Sequence, residues 1–556
     1  MSADPVGEAL CADRIHHLAL AGMSGVLNLL MLTGPIYMMN VYDRVLPSGS
    51  RPTLVALSLI AGLLIGFAGL CDILRARLQH RLAARLQHRL EPQVFAADLA
   101  GGAGQALADL DAVLRWRNAP AFLARYDLPF AALFLGLLCL FHVTLGLMAL
   151  ATAGVLIAMA LWGRQLNEGP QQAALEAARR AEATARQMAH ARDTLRGLGM
   201  GANATRLWQA GRGDALAAMV RSNDVTTGFS GAMRAIRLLV QSAMLGWGAA
   251  LVLAQAMGGG AMIVSAILLG RALAPIEVMT AQWPQIRQAR KSSKALAASL
   301  AAREAAPVAP LPPPQGRLRL RHADYTTPAD RTILHDISCD LAPGQVLQVI
   351  GPSGAGKSAL LRMIAGLVPP TRGEITLDDA PLRHYPPDGL GRALGYLPQD
   401  IAFFSASLLH NIARLDPAPD PQKVLKAARG AGLHEWILSL PEGYDTPLDP
   451  TGGGLSGGQL QRLALARALY GDPCLLLLDE ADAHLDEQGR AALHHAITTA
   501  RARGAAVIQT AHDFSQSHLA DLILCLSQGR VQLYGPRERV VAHLVQAAAH
   551  LQERQA

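Results

Sequence analysis

Four stretches of this 556-residue chain contain no Asp, Glu, Lys or Arg, and they constrain the fold more than any other feature. These stretches are residues 15–42, 52–71, 128–163 and 238–270. A helix that crosses the hydrocarbon core of a bilayer needs roughly 20 apolar residues. The first two stretches each hold one such helix, and each of the last two has room for two helices joined by a tight turn. The predicted spans are residues 17–41, 52–73, 128–144, 146–163, 236–256 and 260–276.

The overall composition agrees with a membrane domain. Hydrophobic residues make up 51% of the chain and charged residues only 17%, which is too apolar for an ordinary soluble enzyme. A buried helix of a soluble core is the alternative for any one stretch, but four stretches of this length favour membrane spans.

Arginine placement predicts the orientation of these spans. Residues 75–127, around the connection of spans two and three, hold eight arginines, and residues 164–237, around the connection of spans four and five, hold eleven. The opposite side has only Arg44 and Arg51. Because positive charge stays on the cytoplasmic side, both long segments, the N-terminus and everything after span six are predicted to be cytoplasmic. The formal charge of +7 therefore has a membrane explanation, which weakens a nucleic-acid-binding hypothesis.

A proline-rich run divides the chain into two halves. Residues 305–314 read AAPVAPLPPP, a composition typical of a semi-rigid linker. The predicted division is a six-helix membrane domain at residues 1–300, a linker at 301–316 and a soluble domain at 317–556. In the soluble half, short apolar runs alternate with helical stretches, which predicts an α/β fold with a parallel sheet. The predicted buried strands are residues 345–350, 392–397, 474–478 and 505–509.

One helical repeat follows the second span. Leucines fall four residues apart from Leu74 to Leu90, and arginines fall four apart from Arg77 to Arg89. Such a helix has one apolar and one basic face. The basic face could meet anionic lipid headgroups, but a solvated helix with one packed face is the favoured interpretation.

The soluble half contains a phosphate-binding loop. The run Gly351-Pro352-Ser353-Gly354-Ala355-Gly356-Lys357-Ser358 follows an apolar strand and opens a helix. Glycines in this setting let successive backbone N–H groups face phosphate oxygens, and the helix N-terminus adds partial positive charge. Lys357 is predicted to reach the β- and γ-phosphates, and the Ser358 hydroxyl to bind Mg²⁺.

A second motif of the soluble half is acidic and follows the predicted strand at residues 474–478. The tetrapeptide Asp479-Glu480-Ala481-Asp482 spells the DEAD motif of one family of RNA helicases. In either a helicase or another nucleotide-hydrolysing machine, Asp479 is predicted to hold Mg²⁺, and Glu480 to act as the general base for the attacking water. The acidic pair alone therefore does not separate the two classes.

Leu455-Ser456-Gly457-Gly458-Gln459 decides between them, because LSGGQ resembles the signature of ATP-binding cassette (ABC) proteins. The resemblance implies further site residues: Gln399 as the Q-loop glutamine, residues 483–486 as the D-loop, His512 as the switch histidine and Tyr325 as the aromatic that stacks on adenine. In the family, two cassettes meet head to tail around ATP. Ser456, Gly457, Gly458 and Gln459 would then contact the nucleotide of a partner subunit, and Gln399 would help to hold Mg²⁺.

The membrane half resembles a narrower group. Residues 28–50 and 265–277 look like the corresponding segments of type I secretion permease/ATPases, the branch that exports proteases and repeat-rich proteins. This resemblance implies a homodimer in the bacterial inner membrane. It also implies a membrane fusion protein, an outer-membrane channel and an unfolded polypeptide cargo with a C-terminal signal. A short docking helix is expected between residues 169 and 188. The few residues before span one argue against exporters that carry an N-terminal peptidase domain.

Three other functions remain open at this stage. The same fold could export a lipid, a peptide or a small molecule. A non-transporting ABC ATPase could regulate a partner protein. The helicase hypothesis predicts RNA-stimulated ATPase activity and ranks last.

Overall fold

The computed structural model describes residues 13–99, 104–304, 311–327, 330–449, 454–483, 485–511 and 517–555. The chain divides into two compact units, Met1–Ala305 and Ala306–Ala556. The first unit is helical, and the second contains two β-sheets and the helices that cover them.

Within its described residues, the helical unit has six helices that are long and apolar enough to cross a membrane. The membrane-crossing helices are α1 (Arg14–Ser48), α2 (Arg51–Ala97), α4 (Pro120–Phe141), α5 (Val143–His190), α7 (Gly201–Leu253) and α8 (Gly259–Ala281). The other helices are α3 (Gln105–Arg117), α6 (Arg192–Gly197) and α9 (Trp283–Glu304).

Several boundaries differ from the sequence-based expectations. Helix α7 ends at Leu253, before the predicted end of span five, because Gln255 adopts a left-handed turn conformation with φ of +55°. The linker does not begin at residue 301, since α9 continues to Glu304 through alanine, arginine and glutamate, which are good helix formers.

The docking helix expected at 169–188 is not a separate element. Helix α5 runs unbroken through these residues despite Pro170, and ion pairs one turn apart support it, such as Arg186 Nη2 to Glu182 Oε1 at 2.6 Å. The break comes at Ala191, and the short helix α6 follows it.

Apolar side chains cover much of the outer surface of the spans. In the most apolar part of α2 only 6% of residues are buried, and Leu59 and Leu63 are 71% and 75% exposed. In water such a surface would be strongly unfavourable, so its natural solvent is lipid. Beyond the apolar part of α2, Leu82, Leu86 and Leu90 are buried whereas Arg81, Arg85 and Arg89 are exposed, which agrees with a helix packed on one face.

A buried polar network joins three of the spans. Arg75 of α2 is 7% exposed and donates from Nη1 to Asp127 Oδ1 of α4 at 2.9 Å and to Ser24 Oγ of α1 at 3.0 Å. Asn28 of α1 donates to the same Asp127 oxygen at 2.8 Å. A buried charge needs such partners, so this network ties α1, α2 and α4 together.

The second unit holds ten strands and eight α-helices in the part that the structure describes. The strands are β1 (Leu318–Thr326), β2 (Thr332–Leu341), β3 (Val346–Ile350), β4 (Arg372–Leu377), β5 (Ala380–Pro381), β6 (Leu394–Leu397), β7 (Leu475–Leu478), β8 (Ala506–Ala511), β9 (Leu522–Ser527) and β10 (Arg530–Pro536). The helices are α10 (Lys357–Ile364), α11 (Pro387–Ala393), α12 (Leu408–Ile412), α13 (Pro421–Gly430), α14 (His434–Leu438), α15 (Gly457–Leu469), α16 (Glu487–Ala502) and α17 (Arg537–Gln555).

The larger sheet positions the nucleotide motifs. Its strand order is β10-β9-β3-β8-β7-β6, and every pair from β9 to β6 is parallel. All residues of β3 and β7 are buried, as expected for strands covered on both faces. The four strands predicted from the sequence are therefore confirmed as β3, β6, β7 and β8. Because parallel strands end at one edge, the loops after β3, β6, β7 and β8 all leave the sheet on the same side.

Candidate functional site

The loop between β3 and α10 has the geometry of a phosphate cradle. Gly354 and Gly356 have φ of +77° and +103°, conformations that side-chain-bearing residues rarely adopt. A Cβ on Gly351 would lie 2.1 Å from the Leu526 carbonyl oxygen, so only glycine fits there. Ser353 and Gly354 are exposed, whereas Ala355 is buried beneath them. The exposed arc of the loop therefore leads directly into the N-terminus of α10.

Lys357 lies over this loop. Its side chain is largely buried, with the residue 5% exposed, and Nζ donates to the carbonyl oxygens of Gly351 at 2.7 Å and Pro352 at 3.3 Å. The ammonium is therefore held at the loop by main-chain acceptors, with no carboxylate bound to it in the described residues. Its charge remains available for an anion that enters the cradle.

The acidic pair lies at the end of β7. Asp479 is 1% exposed, and burial raises the pKa of its carboxyl, while hydrogen bonds with Ser358 and Thr510 act in the opposite direction. Glu480 has φ of +49°, a strained conformation that often occurs at functional sites. A cation beside Asp479 would favour its charged form and offset the cost of burial.

Gln399, in the loop after β6, joins the two motifs. Its Nε2 donates to Glu480 Oε2 at 3.0 Å, and its Oε1 accepts from Ser358 Oγ at 3.4 Å. Oxygen atoms of Ser358, Gln399 and Asp479 thus converge beside the phosphate loop. Hard oxygen donors of this kind suit Mg²⁺, which typically takes only one or two protein carboxylates and completes its shell with phosphate and water.

Thr510 is a site residue that the sequence reasoning missed. Its Oγ1 donates to Asp479 Oδ1 at 2.9 Å and accepts from the Glu480 N–H at 2.8 Å. Thr510 is 3% exposed and lies on β8, the parallel neighbour of β7. The available signal was a hydroxyl near the end of an apolar strand predicted to lie in the same sheet as the acidic motif.

The signature motif forms the N-terminus of α15. Ser456 is the N-cap: its Oγ accepts from the Gln459 N–H at 3.3 Å, and the Gln459 side chain accepts from the Ser456 N–H at 2.9 Å. Ser456 and Gly457 are exposed, whereas the next turns of the helix are buried. The motif therefore presents an exposed, electropositive helix end.

A second missed residue connects this helix with the acidic motif. Gln461 is 6% exposed, and its Nε2 donates to the Ala481 carbonyl oxygen at 3.2 Å and lies 3.4 Å from that of Glu480. Gln461 thus links α15 to the backbone that carries Glu480.

The other site residues predicted from the sequence are Tyr325, His512 and the D-loop. Tyr325 pairs with Leu334 across β1 and β2, and Leu334 Cδ2 lies 2.8 Å from where a Cβ on Gly356 would be, so Tyr325 lies close to the phosphate loop. His512 is outside the described residues, which end locally at Ala511, and so is His484 of the expected D-loop. Asp486 of that loop caps α16 by accepting from the Gly489 N–H at 2.7 Å.

Comparisons with known proteins agree with this geometry. Residues 334–483 match the ABC transporter family. The chain is 36% identical, over 98% of its own length and 95% of the relative, to the type I secretion system ATP-binding protein PrsD of Rhizobium meliloti.

The chain belongs to the ABC transporter family, in its type I secretion branch.

Other ABC transporters support the assignment. The cyclolysin secretion/processing ATP-binding protein CyaB of Bordetella pertussis is 30% identical over 95% of this chain and 76% of its own length. The fold matches a bacterial Atm1-family ABC exporter solved with ATP bound, with a TM-score of 0.82, 24% identity and coverage of 98% of this chain and 99% of the other.

The ABC assignment decides between the two classes of nucleotide-hydrolysing protein that the acidic tetrapeptide left open. The protein is a multi-pass membrane ABC exporter with an ATP-hydrolysing domain. Its membrane helices and its α/β domain confirm the fold class predicted from the sequence. The helicase hypothesis is therefore excluded, and the spelling DEAD at residues 479–482 is a coincidence.

Proposed function

We propose that this ABC exporter drives an unfolded polypeptide with a C-terminal signal out of the cytoplasm of a bacterium. The observation that carries the proposal is the match with a type I secretion ATP-binding protein over nearly the full length of both chains. That match includes the membrane half, where exporters of different cargo differ most. We further propose that a membrane fusion protein and an outer-membrane channel complete the conduit.

The arginine distribution supports an inner-membrane location with the nucleotide-binding domain in the cytoplasm. Arginines are concentrated in residues 75–127 and 164–237, the two segments that run between the apolar parts of α2 and α4 and between those of α5 and α7. The positive-inside rule places these segments, and the chain after α8, on the cytoplasmic side. ATP from the cytoplasm then reaches the phosphate loop directly.

The working unit is proposed to be a homodimer with two composite ATP sites. One chain supplies six spans and one nucleotide-binding domain. A head-to-tail pair of nucleotide-binding domains therefore needs two such chains. The exposed Ser456 and Gly457 at the start of α15 leave that helix end available for the γ-phosphate of ATP on a partner subunit. Gly458 and Gln459 complete the contact, and Tyr325 would stack on the adenine.

Each residue of the site has a proposed role in hydrolysis. Lys357 and the backbone N–H groups of residues 353–358 would bind the phosphates, while Ser358, Gln399 and Asp479 would hold Mg²⁺. When bound, Mg²⁺ neutralises charge on the phosphate oxygens. Glu480 would accept a proton from the attacking water as general base, with Gln399 orienting its carboxylate at 3.0 Å. His512 is proposed to sense the γ-phosphate.

A secretion assay tests the proposed cargo class. Cells that lack this gene are complemented with wild-type protein or with the Glu480→Gln variant, and the culture medium is compared by mass spectrometry. We expect one or more polypeptides to appear only with wild-type protein, and their export to fail when their C-terminal residues are deleted. Unchanged secreted proteins in all three strains would contradict the proposal.

Co-purification from membranes tests the partners. Chemical cross-linking followed by mass spectrometry should recover a second chain of this protein, a fusion protein and a channel protein. If the homodimer is recovered without the fusion protein and without the channel protein under conditions of active secretion, the proposal that these two proteins are partners is contradicted.

A further inference from the structure

A cavity in the helical unit has an unusual lining. It lies between α2, α3 and α9 and has a volume of about 650 Å³. Four of its lining residues are cationic, namely Arg117, Arg290, Lys291 and Lys294, and no acidic side chain is among the described residues that line it. The cavity therefore has the electrostatic character of an anion site.

Two of the lining residues carry hydrogen-bond donors for which the described residues provide no acceptor. In the described part of the chain, Nε and Nη1 of Arg117 and Nε1 of Trp116 are buried and lack a hydrogen-bond acceptor. Arg117 is only 2% exposed, and buried polar groups normally have partners. A guanidinium and an indole N–H beside one cavity are suitable donors for phosphate oxygens.

The groups around Arg117 do not neutralise it. Its Nη2 contacts His17 Nε2 at 3.1 Å, and its guanidinium lies 5.3 Å from the centre of the Phe122 ring. Burial and the nearby Arg125 lower the pKa of Arg117, while Asp13 raises it. Among the described residues, Asp13 and Arg117 form no ion pair within 4.0 Å. The surroundings of Arg117, which include Arg125, therefore retain excess positive charge.

The cavity lies near the depth of the lipid headgroups. The Arg117 carbonyl oxygen accepts from Gln79 Nε2 of α2 at 2.7 Å. At a rise of about 1.5 Å per residue, Gln79 is about 42 Å along α2 from Arg51. A bilayer is roughly 30 Å thick in its hydrocarbon core and about 40–45 Å with its headgroups, so Gln79 lies at the edge of the headgroups on the arginine-rich side. Leu86, the α2 residue that lines the cavity, is about 10 Å further along the helix and lies just beyond them.

We propose that this cavity binds a phosphate group, carried either by an anionic lipid headgroup or by a soluble phosphate compound. Arg117 and Trp116 line the cavity and carry buried donors that lack acceptors among the described residues. Arg290, Lys291 and Lys294 supply charge from α9, the helix that follows the sixth span. The site is separate from the phosphate loop, since all its residues belong to the helical unit.

The test uses full-length protein in which Lys291 and Lys294 are both changed to Gln. The matched control changes Arg179 and Arg192 to Gln, which removes the same charge from exposed positions outside the cavity. All proteins carry Lys357→Ala to weaken phosphate binding at the ATP site. Two probes are titrated at constant ionic strength: inorganic phosphate, followed by the thermal unfolding midpoint, and phosphatidylglycerol, followed by native mass spectrometry.

We expect the cavity variant to bind at least one probe more weakly than the control by on the order of tenfold, because each cation contributes to phosphate attraction. A difference with phosphatidylglycerol alone identifies a lipid headgroup, and a difference with inorganic phosphate alone identifies a soluble ligand. Equal binding of both probes by the two variants would overturn the proposal. Arg117→Gln should give the same loss, and the α9 variant keeps the test valid if that buried substitution prevents folding.

Discussion

At the scale of single residues, the proposed ATP site contains a network of four hydrogen bonds. Gln399 links Ser358 to Glu480, and Thr510 links Asp479 to the Glu480 backbone. Asp479 is almost completely buried, so its orientation depends on these hydrogen bonds. Substitutions in the network should therefore separate binding of ATP from its hydrolysis.

Glu480→Gln is predicted to abolish turnover while preserving ATP binding. The amide has a shape similar to that of the carboxylate but cannot accept a proton from water, and loss of a general base typically slows catalysis by about 10²–10⁴-fold. ATPase rates and retention of radiolabelled ATP measure the two effects. Wild-type hydrolysis by this variant would exclude Glu480 as the base.

Thr510→Val is predicted to slow ATP hydrolysis by about 10- to 100-fold, a loss typical of groups that orient a metal ligand. Valine has the size of threonine but removes the hydroxyl that Asp479 and the Glu480 N–H both use. Thr510→Ser keeps the hydroxyl and is the matched control.

The pH profile distinguishes this role from a loss of packing. The Thr510 hydrogen bond lowers the pKa of Asp479, against the effect of burial. Thr510→Val should therefore raise that pKa further, so more Asp479 is protonated at a given acidic pH and activity declines at a higher pH than in wild type. An unchanged acidic limb, or equal losses in Val and Ser variants, would contradict the assignment.

At the scale of elements, apolar pattern and local chemistry predicted most boundaries. Uncharged stretches became membrane helices, and the break predicted between residues 144 and 146 occurs slightly earlier, at His142. This residue has extended backbone angles, and its side chain accepts a hydrogen bond from the Thr144 N–H. The failures involve helix length. Helix α5 continues beyond the bilayer to His190, because alanine-rich, charged sequence prolongs a helix without a hydrophobic signal.

The Arg75 network gives a prediction about how the membrane helices hold together. Asp127→Ala should lower the free energy of unfolding by about 3 kcal/mol, because it leaves a buried guanidinium poorly paired. Asp72→Ala is the matched control: Asp72 also contacts Arg75, at 3.0 Å, but its side chain is 59% exposed, so the expected loss is under about 1 kcal/mol. Thermal unfolding in detergent measures both, and equal losses would contradict a structural role for the buried pair.

At the scale of the whole molecule, ATP hydrolysis is proposed to need two chains. The exposed N-terminus of α15 and the phosphate loop have complementary roles in a head-to-tail pair. A pair with twofold symmetry would create two equivalent sites, each with a phosphate loop from one subunit and a signature from the other. This arrangement can be tested without a structure of the dimer.

Lys357→Ala and Ser456→Arg should each abolish ATPase activity when expressed alone. Mixed dimers of the two variants should show roughly half of the wild-type rate, because each mixed pair contains one intact composite site out of two. The measurement is the ATPase rate of purified mixed dimers, isolated with two different affinity tags. No recovery in verified mixed dimers would indicate that each chain builds its ATP site alone or that both sites must be intact.

The amino-acid sequence was sufficient to predict the number of spans and the α/β nature of the second half. It was also sufficient to predict the residues of the phosphate loop, the signature and the acidic motif. These features have local causes: hydrophobic length, strand and helix period, and glycine at strained turns. Three contacts are seen only in the folded chain: Thr510 contacts Asp479, Arg75 contacts Asp127, and Arg117 lies beside a cavity lined by cations of α9. Such contacts join residues that are far apart in the chain. They form when whole helices and strands pack together, and no local sequence pattern predicts them.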